Sequence, residues 1–82
     1  MQRPEIQYPC RWTYAVIGLD EEDLRMAIAA VVRRREHRLS FSRHSAHKKY
    51  CSLHLELTVE NEADRNRLFV SLKNQPSVKM VL

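Results

Sequence analysis

The stretch from Cys51 to Val59, CSLHLELTV, alternates apolar and polar residues at nine successive positions. Neighbouring side chains of an extended chain point to opposite faces, so this spacing predicts a strand with Cys51, Leu53, Leu55, Leu57 and Val59 in a core and the intervening residues facing water. A pattern this regular also fixes register. Slipping the strand by one residue would turn every apolar side chain to the wrong face. The rest of the chain must therefore build a sheet with one covered and one open face, and must supply whatever covers it.

The remaining segments do both. In CRWTYAVIG, Trp12, Tyr14 and Val16 point one way and Thr13, Ala15 and Ile17 the other, which predicts a second half-buried strand ending at Gly18, the only glycine. Asp20 then stands as N-cap to a helix with an acidic start, Glu21, Glu22 and Asp23, and with Leu24, Ala27, Ile28 and Val31 at helical spacing. Arg33, Arg34 and Arg35 are read as its last turn, where each cation offsets the negative end of the helix by about 0.3 to 1 kcal/mol. Leu39 and Phe41 alternate with Ser40 and Ser42, and a polar turn joins them to the strand at Cys51 as a hairpin. Asn61 caps a second helix carrying Leu68, Phe69 and Leu72, Pro76 breaks the chain, and VKMVL forms a last short strand. The order βαββαβ predicts an α+β, ferredoxin-like sandwich over residues 1–82, a single domain with residues 1–9 as a short N-terminal arm. Right-handed crossovers give a four-stranded antiparallel sheet in the order 4-1-3-2 with two helices on one face.

Size and composition remove several functions. A chain of 82 residues buries only about 60 to 65% of its unfolded surface, which argues against a large cofactor pocket, and no cofactor is expected. The apolar run through Ala27 to Val32 is far short of the roughly 20 residues that span a bilayer, and MQRPEIQYPC lacks the apolar centre of a signal peptide. A cytoplasmic location without membrane attachment is the expectation, and Cys10 and Cys51 are read as free thiols. The net charge is +4, and seven of the fourteen Lys and Arg residues fall between Arg33 and Lys49 against one acid, Glu36.

His44-x-x-His47 and Cys51-x-x-His54 imitate metal-ligand spacing, but residues three apart on a strand face opposite sides, so Cys51 enters the core while His54 lies on the open face. No metal site is expected. Cys51 among core leucines is packing rather than a nucleophile, and no oxyanion or base motif accompanies it, so no enzyme is expected. His54 and Glu56 share the open face with Ser52 and are spaced to form an orienting pair. The same topology serves the RNA-recognition motif, which stacks bases on aromatics of its central strands. Here those positions are Thr13, Ala15, Ile17, Ser52, His54 and Glu56, none of them Phe, Tyr or Trp, and the cations divide between Arg33–Arg38 and Arg43–Lys49 at opposite ends of the sheet. Weak non-specific nucleic-acid binding is the most this allows.

Tyr8-Pro9, Trp12-Thr13-Tyr14, Val16-Ile17-Gly18, the run from Ser45 through Tyr50-Cys51-Ser52, and Val78-Lys79-Met80-Val81-Leu82 together resemble the YbeD-like family of small bacterial proteins of unknown function. The resemblance spans nearly the whole chain. It implies a ferredoxin-like fold similar to the ACT regulatory domains of amino-acid metabolism, a link to lipoate metabolism, and no enzyme activity. Ala15 stands where the family commonly has lysine, and Lys48 where it commonly has a turn glycine.

In the predicted topology the hairpin turn, the Gly18–Asp20 loop and the Asn74–Pro76 loop meet at one end of the sheet. ACT-like domains often bind effectors near the first of these, commonly between subunits. Gly18, Leu19, Asp20, His47, Lys48 and Lys49 therefore form the candidate ligand site. Helix-start amides and lysines there suit a small carboxylate, while Asp20, Glu21, Glu22 and Asp23 oppose one unless a second subunit in a homo-oligomer adds cations. Gly18 itself serves either an unusual backbone angle or a close approach. The expectation is a non-catalytic regulatory or ligand-binding domain. The alternatives are an adaptor that pairs a protein partner with an exposed edge strand, the second or the fourth, and a weak nucleic-acid binder.

Overall fold

The structure is a computed structural model that describes the backbone of residues 6–44 and 50–82 and the side chains of residues 6–41 and 50–82. Six elements follow one another: β1 (Cys10–Gly18), α1 (Glu21–Val32), β2 (His37–His44), β3 (Cys51–Val59), α2 (Glu62–Lys73) and β4 (Val78–Val81). The strands form one antiparallel sheet in the order β2-β3-β1-β4, which is 4-1-3-2 counted from the other edge. β1 and β3 pair along their whole length, from Cys10 opposite Val59 to Gly18 opposite Cys51.

The alternation of β3 is realised without exception. Cys51, Leu53, Leu55, Leu57 and Val59 are buried together with Tyr14 and Val16 of β1, and both helices close over them with Leu24, Ala27, Ile28, Val32, Leu68 and Leu72. Burying a leucine or isoleucine in this way contributes roughly 1.5 to 3 kcal/mol each. Each helix starts as its cap residue dictates: Asp20 accepts from the Asp23 N–H at 2.9 Å and Asn61 from the Asp64 N–H at 2.8 Å. Among the described residues, no helix is long and apolar enough to cross a membrane.

Four local expectations are corrected. α1 stops at Val32 and has no cation in its last turn; Arg33 leaves the helix with φ 54°, its N–H still bonded to Ala29 O. The three arginines therefore lie beyond the helix, and one of them, Arg35, has a partner elsewhere. Val32 rather than Val31 takes the deep position, since Val31 packs only at the margin. Phe69 is not a core residue but 37% exposed, and the acid Asp64 is buried instead. Phe41 is 43% exposed although it still pairs with Leu53 in register: it lies on an edge strand, and the shift in pairing begins only after it.

Gly18 has a negative or extended φ, so the unusual backbone angle is not its reason. A Cβ there would sit 2.5 Å from Ser77 O and 2.6 Å from Leu24 Cδ2. The second reason, close approach, is the one the fold uses.

Candidate functional site

At one end of the sheet the exit from β1 and the entry to β4 enclose a cleft of about 260 Å³ lined by Leu19, Asp20, Asp23, Pro76, Ser77 and Lys79. The close passage of Gly18 against Ser77 holds its two walls together. Leu19 is half exposed, and the Asp20 carboxylate is already engaged as the helix cap. Asp23 and Lys79 bring opposite charges to the same cleft, and among the described residues no ion pair joins them. Of the residues expected to bind ligand, Gly18, Leu19 and Asp20 are at this end. His47, Lys48 and Lys49 lie outside the described residues. Asp23 was expected at this end only as an acid opposing an anion, and Ser77 and Lys79 were not anticipated; Lys79 was hidden because the alternation of a short edge strand does not say which loop its side chains border.

The open face carries Ser52, His54 and Glu56, with His54 exposed. Glu56 does not turn to His54. It accepts from Arg11 Nη2 at 3.4 Å, and Arg11 Nη1 donates to Thr58 Oγ1 at the same distance, so the expected imidazole–carboxylate pair is replaced by an exposed ion pair from β1.

The opposite end of the sheet holds the strongest polar network. Arg35 donates through Nη1 and Nη2 to the two carboxylate oxygens of Asp64 at 2.9 and 2.7 Å, and Nη2 also donates to Thr58 O at 2.7 Å. Asp64 further accepts from the Glu60 N–H at 2.9 Å and from Arg67 Nη2 at 3.2 Å. The Arg35 guanidinium, with the Glu60 and Arg67 donors behind it, holds the Asp64 carboxyl well below the usual carboxylate range although burial opposes this. The hydrogen bond from Arg35 in turn raises the pKa of its guanidinium. These groups border a groove of about 630 Å³ with Arg11, Glu36 and Glu60, but every oxygen of Asp64 is already used, which marks a structural tie rather than a binding centre. Sequence reasoning missed it. The Asn61-x-x-Asp64 spacing is that of a reciprocal helix cap and was the available signal.

Between these ends, the Tyr14 hydroxyl donates to Arg65 O at 2.6 Å, and burial pushes its pKa up to about 12. The Arg65 guanidinium lies 4.5 Å from the centre of the Trp12 ring. Burial likewise raises the Cys51 thiol, which disfavours the reactive thiolate. Among the described residues, no group of three or more His, Cys, Asp or Glu is placed to hold a metal ion.

This architecture is that of an ACT-like ferredoxin fold. The ACT domain from GTP pyrophosphokinase of Chlorobium tepidum superimposes with a TM-score of 0.63 over 88% of this chain and 94% of its own, at 16% identity, a likeness of fold alone. The family described as "Protein of unknown function (DUF493)" matches residues 3–82, and the chain belongs to it. A UPF0250 protein of Hahella chejuensis is 32% identical, covering 99% of this chain and 93% of its own length. The solution structure of the Helicobacter pylori protein HP0495 is 29% identical and gives a TM-score of 0.82 over 99% of this chain and 89% of that one.

Proposed function

We propose that the chain is a small, non-catalytic ligand-responsive module that binds an α-amino acid in the cleft between the β1–α1 loop and the entry to β4. The observation that supports this reading is that the cleft is bordered by charges of both signs, Lys79 suited to a carboxylate and Asp23 to an ammonium. The size, about 260 Å³, suits a small metabolite. The acids at the start of α1 work against a simple carboxylate such as lipoate or octanoate, because neither brings a cation to balance them. The ACT-like fold is compatible with such a module.

Amide chemical-shift titration with amino acids, lipoate and octanoate tests this. Shifts at residues 17–21 and 77–79 with an amino acid are expected, and Lys79→Ala and Asp23→Asn should each weaken binding about two- to fivefold, the scale of an exposed ion pair. Shifts at the same loop with lipoate or octanoate but not with amino acids would assign the cleft to a simple carboxylate. A loop silent to all three classes would remove the ligand-binding reading.

A further inference from the structure

α1 buries Leu24, Ala27, Ile28 and Val32 and turns Glu22, Met26, Ala29, Ala30 and Arg33 outward, all of them exposed. Their spacing puts them on a single stripe opposite the buried one. Met26 is 71% exposed, and between the acid at one end and the cation at the other the stripe holds no polar side chain. Among the described residues, no ion pair involves Glu22 or Arg33. The helix dipole accounts for an acid at Glu22, but not for an apolar surface turned to water beside it. Arg33 also holds φ 54°, an angle that glycine takes freely and arginine only at a cost, so nothing in the backbone calls for an arginine there.

The stripe matches its own reversed order. A second copy of α1 laid antiparallel, with its Arg33 against Glu22, meets an opposite charge at both ends at once. Four residues inward from Glu22 stands Met26, and four inward from Arg33 stands Ala29, so the register that joins the charges also sets the long methionine against the small alanine, a fit that lets two helices approach closely. Two-fold symmetry then repeats each contact. The outward stripe of α2 has no such match: its exposed middle residues, Asn66 and Val70, would set an amide against an apolar side chain.

We propose that the chain self-associates through α1, as an antiparallel pair in which each Met26 seats against the partner's Ala29 and each Glu22 faces the partner's Arg33. α1 has twelve residues, about 18 Å of helix, so one such pair falls short of the roughly 1,200 Å² of a stable interface and the dimer is weak and concentration-dependent. The pairing brings the partner's Arg33 to the start of α1, where Asp20, Glu21, Glu22 and Asp23 lie, and so supplies a cation from a second subunit. The association does not depend on the amino-acid reading of the cleft.

Sedimentation equilibrium of the full chain up to about 1 mM, with amide shifts followed on dilution, tests this. A monomer–dimer equilibrium with shifts at residues 22–33 is expected. Met26→Lys should weaken association at least about fivefold while leaving the denaturation midpoint of the dilute chain unchanged. Glu22→Arg and Arg33→Glu each set like charges across both ends of the pair, and each should self-associate at least about fivefold more weakly than the parent. An equimolar mixture of those two variants should dimerise as the parent does, because both ends then join opposite charges. Should Arg33→Glu not fold, Arg33→Gly relieves the backbone angle and should keep the fold while losing association. The proposal is overturned by a monomer at about 1 mM, by a mixture that associates no better than either variant alone, or by undiminished association of Met26→Lys. Dilution shifts confined to β2 or to Ser52–Glu56 would overturn it in favour of a dimer formed through the sheet.

Discussion

Gly18 is held by what stands 2.5 Å from where its Cβ would be, and that neighbour is a backbone oxygen, Ser77 O, not the end of a side chain that could rotate away. Gly18→Ala must therefore displace the entry to β4 or the Leu24 side chain, and the expected cost is about 1 to 3 kcal/mol, the usual scale of overpacking. A chemical-denaturation midpoint equal to that of the parent chain would show that the β4 entry yields freely. The sequence offered two reasons for this glycine and could not choose, because the deciding atom belongs to a residue far along the chain. The core face of β3 needed no such distant information: its alternation named Cys51, Leu53, Leu55, Leu57 and Val59 directly, and each is buried.

At the scale of elements, Asp64 joins three pieces of chain: the turn after α1 through Arg35, the end of β3 through the Glu60 N–H, and the first turn of α2 that it belongs to. Asp64→Ala takes the acceptor from three donors at once and should cost about 2 to 3 kcal/mol, below the full buried-pair scale because the Arg35 side chain is a third exposed. Arg35→Ala should cost less, because Arg67 and the Glu60 N–H still reach the carboxylate, and the double variant should cost clearly less than the sum of the two. Additive losses in urea denaturation would show that the two residues act independently. This tie was illegible for a physical reason. The arginine run and the acidic first turn of α2 each have a sufficient local explanation in the helix dipole, and local explanations hide long-range partners. The loop at Gly18–Asp20 was placed correctly at its end of the sheet, where Lys79 of β4 also borders the cleft, while Lys48 and Lys49 lie outside the described residues.

For the molecule as a whole, Asp64 and Tyr14 set opposite limits on stability with pH. The Asp64 pKa is depressed in the folded chain, so its contribution is complete above the unfolded carboxyl value of about 3.9 and is lost as pH falls through that value toward the folded one. The Tyr14 pKa is raised to about 12, so its contribution is complete below the unfolded value of about 10 and is lost as pH rises from there through the folded value. Denaturation midpoints should be flat from about pH 5 to about 8, above which ionisation of the buried Cys51 thiol joins that of Tyr14 in lowering them. Asp64→Asn should flatten the acid limb and Tyr14→Phe the alkaline one; an unchanged limb in either variant would assign that limb to other groups. The pairing of β1 with β3 has a further consequence, for the order of synthesis. The first strand made is an inner strand, and its full-length partner, β3, is complete only at Val59. At about 5 to 20 residues per second, the nascent chain carries Trp12, Tyr14 and Val16 for several seconds with no strand on either side, long enough for α1 to form first and shield them. The helix that completes the core in the finished fold is thus also the earliest cover available to its first strand.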